Sequence, residues 1–176
     1  AQFEIPAHKW VDVYDGKYGV AILNDCKYGH RVKDGLISLN CLRSTVRPDK
    51  TADRGEHSFT YAIYPHKEKP IESELIKIGY ELNNPVRIYE GSADIKPLVT
   101  CNAENVILET VFVNDNGNLA FRMYETAGKE TDTEIDINIA YESIHETDML
   151  FENAKEMNLG NLHFNPFEIK TLEVKR

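Results

Sequence analysis

Cysteine is scarce in this sequence. Cys26, Cys41 and Cys101 are odd in number and lack the paired spacing of a metal centre or a disulfide framework. That pattern favours reduced thiols and a cytoplasmic setting. No apolar run approaches the roughly 18 residues of a membrane-spanning helix, and no basic stretch leading into an apolar one marks a signal peptide. A membrane partner is therefore not expected. There is no Gly-x-Ser-x-Gly elbow for a nucleophilic serine and no glycine-rich phosphate loop. The chain opens on Ala1-Gln2-Phe3-Glu4-Ile5 rather than on methionine, as a fragment entered mid-structure or a processed N-terminus would.

Basic charge is the other shortage, and it is uneven. Residues 103–158 hold 13 acidic side chains against 3 basic ones, whereas residues 1–102 hold 14 of each, and the net charge is −9. Phosphate backbones require clustered Lys and Arg, so nucleic acid is not an expected partner. The shift also suggests two structural units, residues 1–101 and 102–176, with a boundary near Asn102.

What the chain does have is strand patterning. Its 176 residues, 41% of them hydrophobic, can bury a real core. Phe3-Glu4-Ile5 reads as a short strand closed by Pro6. Trp10 to Tyr14 alternates apolar and polar before Asp15-Gly16, and Tyr18 to Leu23 is a continuous apolar run expected to be buried on both faces. Asp34-Gly35 signals a hairpin ahead of Leu36 to Leu42. One helix is predicted, opening at Pro70 with Glu72 and Glu74 in its first turn, running through Ile71, Leu75, Ile78, Gly79 and Leu82, and stopping at Asn83-Asn84-Pro85. Strands are expected at Val86–Tyr89 and Leu98–Thr100. Further on, Val106–Val113, an Asn116-Gly117 turn and Leu119–Glu125 form a hairpin, and Ile135 to Tyr141 alternates. A change of parity between Phe167/Ile169 and Leu172/Val174 predicts a bulge near Lys170-Thr171. The fold class is all-β, an antiparallel sandwich with one short helix.

The densest chemistry lies in Asp53-Arg54-Gly55-Glu56-His57, which runs into the strand-like Phe59 to His66. Two carboxylates, a guanidinium and an imidazole around a glycine can build a site on a rigid strand, or simply make a solvated turn. Asp53 and Glu56 could meet either separation used in glycoside hydrolysis, so their spacing does not choose between mechanisms. His8, His30, His57, His66, His145 and His163 are scattered without metal-ligand spacing; His57 and His66 fall on opposite faces. Neither a metal site nor a catalytic residue is assigned. Trp10, Tyr14, Tyr18 and Tyr28 offer rings for stacking on sugars, Trp10 and Tyr28 foremost, or for the core.

Several stretches together resemble one family. Phe3-Glu4-Ile5-Pro6-Ala7-His8-Lys9-Trp10-Val11-Asp12 is similar to the FEVPAHRWxD segment of family 38 glycoside hydrolases, the retaining α-mannosidases. Tyr18 to Gly29 resembles their YGVALLNDCKYG run. Leu42-Arg43-Ser44, Pro48-Asp49 and Ala52-Asp53-Arg54-Gly55-Glu56-His57-Ser58-Phe59-Thr60-Tyr61-Ala62 resemble LLRSP…PDP…ADRGEHxFTYAL. Tyr80 to Pro85 resembles YELNxP, and Pro166 to Leu172 resembles PFEIKTL. Thr45 and Val46 depart from the pattern in the lead-in to the loop.

The resemblance implies that the aspartate nucleophile, the acid/base and the zinc ligands lie on an N-terminal barrel and helical bundle outside this sequence. Residues 1–101 would then be the end of a large β-supersandwich and 102–176 a small C-terminal sandwich. No cofactor is expected in the fragment itself. Its partners would be the missing N-terminal catalytic domain, whose α-mannoside site it would help wall, and, in a homo-oligomer, further copies of itself. Asp53, Arg54 and His57 are the implied rim residues. A stand-alone carbohydrate-binding module, or a structural or oligomerisation module, stays open as an alternative.

Overall fold

The computed structural model describes residues 3–176. The chain divides into two compact units, one running to Glu90 and the other from Gly91 to Arg176. In chain order the first unit holds β1 (Glu4–Pro6), β2 (Trp10–Tyr14), β3 (Gly19–Asn24), β4 (Gly29–Lys33), β5 (Leu36–Asn40), β6 (Tyr61–His66) and α1 (Leu75–Asn83). The second holds β7 (Val99–Cys101), β8 (Val106–Val113), β9 (Leu119–Glu125), β10 (Thr131–Thr133), β11 (Ile135–Ile137), β12 (Ser143–Thr147), β13 (Lys155–Glu156), β14 (Leu162–Phe164) and β15 (Ile169–Lys175). All strand pairings are antiparallel. Among the described residues the fold is an all-β sandwich with a single short helix. β7 pairs with β11, so Val99–Cys101 belongs to the second unit, although a split at 101/102 would leave it in the first.

The first unit contains two three-stranded sheets, ordered β1-β4-β5 and β2-β3-β6. Asp34 and Gly35 both take positive φ, 52° and 76°, as the tight β4–β5 turn requires. In the other sheet α1 lies on β3. Ala21 and Leu23 alternate onto that face and bury fully with Leu75, while Trp10, Ala62, Tyr64, Ile78 and Leu82 pack round them. Burying a leucine this way contributes about 2 kcal/mol. Gly79 makes the close approach possible, because a Cβ there would stand 2.9 Å from Trp10 Cδ1.

Three expectations for this unit are corrected. β3 is buried on one face only: Val20 is 42% exposed, and Ile63 of β6, on the same side, is 66% exposed. One helix covers one face of an antiparallel sheet and leaves the other open. The helix begins at Leu75, not Pro70, and no acidic residue stands in its first turn. Residues 69–73 make a turn instead, in which Glu72 and Ser73 N–H donate to Lys69 O at 2.9 and 3.0 Å and Ser73 Oγ accepts from Leu75 N–H at 3.2 Å. Val86–Tyr89 is not a strand: Val86 and Ile88 are 90% and 92% exposed, with no neighbouring strand to pair with.

At the far end of the β2-β3-β6 sheet His66 is clamped. Its Nδ1 donates to Glu68 O at 2.7 Å and its Nε2 meets Asp12 Oδ1 at 2.8 Å. The rings of Tyr14 and Tyr64 stack at 5.9 and 5.7 Å, and a Cβ on Gly19 would collide with the imidazole. An acceptor at each ring nitrogen favours the doubly protonated imidazolium. The Asp12 carboxylate, ahead of the desolvation that opposes it, raises the His66 pKa above its ordinary value.

In the second unit the main sheet runs β13-β12-β15-β9-β8, with β10-β14 and β11-β7 as two-stranded ribbons. Leu119, Phe121, Met123, Leu172 and Val174 of the main sheet close on Ile135, Leu162 and Phe164 of the ribbons, which makes the two layers of the core. The β8–β9 hairpin turns over residues 114–118, where Asn114 Oδ1 accepts the Asn116 and Asn118 N–H groups and Gly117 takes φ 80°. The bulge expected near Lys170 is absent. β15 keeps unbroken register with both neighbours, and among the described residues the register slips between Leu108 and Thr110. Thr171 and Glu173 are buried on the face shared with exposed Ile169, so polar residues continue the row that sequence parity assigned to apolar ones. Ile135 to Tyr141 likewise yields only the short β11.

Glu125 is the polar centre of this unit. Fully buried, its carboxylate accepts from Asn105 Nδ2 (2.7 Å) and from the N–H groups of Ala127 (2.5 Å), Gly128 (2.8 Å) and Phe167 (3.0 Å). Desolvation opposes the charge, but these four donors outweigh it and hold the carboxyl below its ordinary pKa.

Candidate functional site

Residues 41–60 contain no helix or strand and join β5 to β6. The candidate rim lies in this connection. Asp53 is half-buried because its Oδ2 accepts the Ser44 N–H at 2.6 Å, a bond that draws the two arms of the loop together across nine residues. The Asp53 carbonyl accepts from His57 Nε2 at 3.1 Å. Arg54 N–H donates to Thr51 O at 3.0 Å, and Gly55 takes φ 117°, which a side chain would strain. The structure thus brings Asp53 and His57 together, but through the backbone. Carboxylate and imidazole do not pair, so this is not a base and its orienting acid. Arg54 and His57 are exposed.

A second loop, residues 25–28 after β3, is fastened to this one. Asp25 N–H donates to Thr60 O at 3.2 Å, and Asp25 Oδ2 accepts the Thr60 N–H at 2.9 Å. Lys27 Nζ stands 5.1 Å above the Phe59 ring. The Cys26 thiol first, then the Thr60 N–H, hold the Asp25 carboxyl below its ordinary pKa. Beneath the loop Asn24 is fully buried, its Oδ1 accepting the Lys27 N–H at 3.1 Å and its carbonyl accepting from Asn83 Nδ2 at 3.0 Å. The loop therefore rests on the C-terminal end of α1.

The two aromatic candidates part company. Trp10 is half-buried against Gly79 and the Leu23–Leu75 cluster, so its ring serves the helix–sheet contact. Tyr28 stays 42% exposed and stacks on His8 with ring centres 4.2 Å apart. Among the described residues no group of three or more His, Cys, Asp or Glu is placed to hold a metal ion, so the residues present do not fit a zinc site. No helix among them is long and apolar enough to cross a membrane. Cys26, Cys41 and Cys101 are free thiols.

Sequence reasoning missed the Asp25–Thr60 latch and the His66–Asp12 clamp. Both join residues 35 or more apart, and only the β2-β3-β6 register, once known, would have placed them side by side.

Comparison with known proteins gives a consistent result. Residues 1–51 match the glycosyl hydrolases family 38 C-terminal domain, and residues 105–172 match the family 38 C-terminal beta sandwich domain. The chain is 38% identical to alpha-mannosidase G of Dictyostelium discoideum, over 97% of the chain and 17% of that protein. It is 33% identical to human alpha-mannosidase 2C1, over 98% of the chain and 18% of the relative. An alpha-mannosidase of Saccharomyces cerevisiae is 32% identical, over 99% and 19%. The chain thus spans less than a fifth of the length of these relatives. Among solved structures, a family 38 glycosyl hydrolase from Enterococcus faecalis shares the fold with a TM-score of 0.75 at 16% identity, over 99% of this chain and 23% of that one.

Proposed function

The chain belongs to glycosyl hydrolases family 38, in the C-terminal region of that family, and from that premise we propose that it is the non-catalytic β-sandwich part of a longer retaining α-mannosidase. In this reading it packs against a catalytic domain and presents the Asp53–His57 loop to the rim of the mannoside site. Nucleophile, acid/base and zinc belong to that other domain, and the enzyme works in the cytoplasm on terminal α-mannosides. One observation carries the proposal: the identity of 32–38% to α-mannosidases runs along nearly the whole chain but covers under a fifth of each relative.

The geometry supports a supporting role for the loop. Arg54 is exposed on a turn that Gly55, Thr51 and the Asp53–Ser44 bond hold in place. A guanidinium so held is suited to a sugar hydroxyl or to a carboxylate of another domain. The open face of the β2-β3-β6 sheet, with Val20 and Ile63, is apolar surface of the kind that domains cover. The test is direct. The 176-residue chain, supplied with zinc, should not hydrolyse an aryl α-mannoside, whereas the same chain within a full-length enzyme should; turnover by the isolated chain would overturn the reading.

A further inference from the structure

We propose that the polar face of the β1-β4-β5 sheet is a second ligand site, which takes an anionic hexose: a sugar bearing a phosphate or a carboxylate. The register lays it out. Glu4, Arg31 and Ser38 stand in one cross-strand row, and Pro6, Gly29 and Asn40 stand in the row two residues along, on the same face of the pleat. Ile5, His30 and Leu39 fall between them on the opposite face. Gly29 sits at the middle of its row and adds no side chain there, with the Asn40 side chain beside it. A groove of about 600 Å³ opens there, a volume suited to one or two sugar rings.

The lining has a charge out of keeping with the chain. Arg31 and Arg43 both line the groove and are exposed. Among the described residues neither guanidinium has a carboxylate within ion-pair distance. In a protein of net charge −9, two unpaired arginines sharing one groove make it a local anion site. Glu4 is the one acid among its lining residues and works against that. His30 adds no cation, since burial pushes its imidazole below the ordinary pKa. Guanidinium forks match phosphate and carboxylate oxygens in pairs.

Tyr28, at the end of the groove, supplies the platform. His8 covers one face of its ring at 4.2 Å and 16°, which stiffens it while leaving 42% of the residue exposed. An apolar sugar face fits such a ring, and the Asn40 amide is placed for hydroxyls. Arg43 adjoins Ser44, whose N–H holds Asp53. The sugar half of the proposal rests on the α-mannoside reading, and the anion half on the arginines.

Calorimetric titration of the 176-residue chain at low salt tests it, with mannose 6-phosphate, glucuronate, mannose and inorganic phosphate as probes. At least one anionic sugar should bind ten-fold or more tightly than mannose, and the winner of the pair identifies phosphate or carboxylate as the anion. Arg31→Ala and Arg43→Ala should each weaken that binding about ten-fold. Tyr28→Ala should weaken the sugars but not inorganic phosphate, and Glu4→Gln should tighten both. All four positions are exposed, so circular dichroism of the variants should match the parent chain. Mannose binding as tightly as the anionic sugars, arginine variants with unchanged affinity, or inorganic phosphate matching the sugars would overturn the proposal. A full-length enzyme inactive on α-mannosides would remove the mannoside reading and leave these affinities standing.

Discussion

Arg54 concentrates what single residues contribute here. The carboxylate of Asp53 is committed to Ser44 and its carbonyl to His57, whereas the Arg54 guanidinium between them is exposed. Replacing it removes no buried contact, since Arg54 is exposed. If the chain is part of a longer α-mannosidase, as proposed, Arg54→Ala in that full-length enzyme should lower kcat/KM ten-fold or more, as expected for a lost charge-assisted hydrogen bond. The melting temperature should move by less than about 2 °C. A drop in melting temperature with kcat/KM preserved would make the loop structural. The residue types of this loop were legible in the sequence. Their use was not, because a carboxylate that caps a backbone N–H nine residues away reads the same as one poised for catalysis.

At the scale of elements, the His66 clamp ties β2, β3 and the turn after β6 into one body. Asp12 on β2, Tyr14 on β2, Tyr64 on β6, and Glu68 and Lys67 beyond β6 are the titratable groups around the imidazole, and Gly19 of β3 closes the remaining side. The folded state raises the His66 pKa, chiefly through the Asp12 hydrogen bond. The stabilisation is therefore complete below the unfolded value of about 6.5 and is lost as pH rises through the higher folded one. Urea unfolding of the chain followed from pH 5.5 to 9 should show that loss. His66→Gln should remove that loss on the alkaline side and cost roughly 1–3 kcal/mol at the acid end. An unchanged slope in the variant would mean that His66 is neutral in the fold.

Elements were legible in proportion to how local their causes are. The Asp34-Gly35 and Asn116-Gly117 turns, the Asn83-Asn84-Pro85 stop and the alternation of β2 are written in neighbouring residues. The start of α1 was misread because Pro70 and two glutamates make a plausible first turn, whereas Ser73 and the Lys69 carbonyl hold that segment in a separate turn. The bulge near Lys170 was inferred from a parity that tertiary burial of Thr171 and Glu173 overrides.

Over the whole molecule, the distribution of apolar surface is the main departure from an ordinary soluble domain. Val20, Tyr61, Ile63, Val86, Ile88 and Tyr89 are all exposed, an amount that belongs to surfaces meant to be covered. Expressed alone, the chain should bind an apolar fluorescent dye and self-associate as concentration rises. Ile63→Thr with Val86→Thr and Ile88→Thr should raise the soluble yield while leaving the melting temperature within about 2 °C. A melting temperature that collapsed would show those side chains to be core after all. That these residues face outward could not be read from their apolar character, which in sequence is the signature of a core.

The extended segment that carries Val86 and Ile88 also decides how the molecule comes apart. It follows α1, contains no helix or strand before β7, and includes Arg87 and Lys96. A protease must draw roughly ten residues of unpaired chain into its cleft, and backbone of this kind offers them without any unfolding. Brief digestion with trypsin under native conditions should cut there first. The first products would be two fragments of nearly equal size, each retaining its own sheets, so the joint between the units would be read directly from a gel.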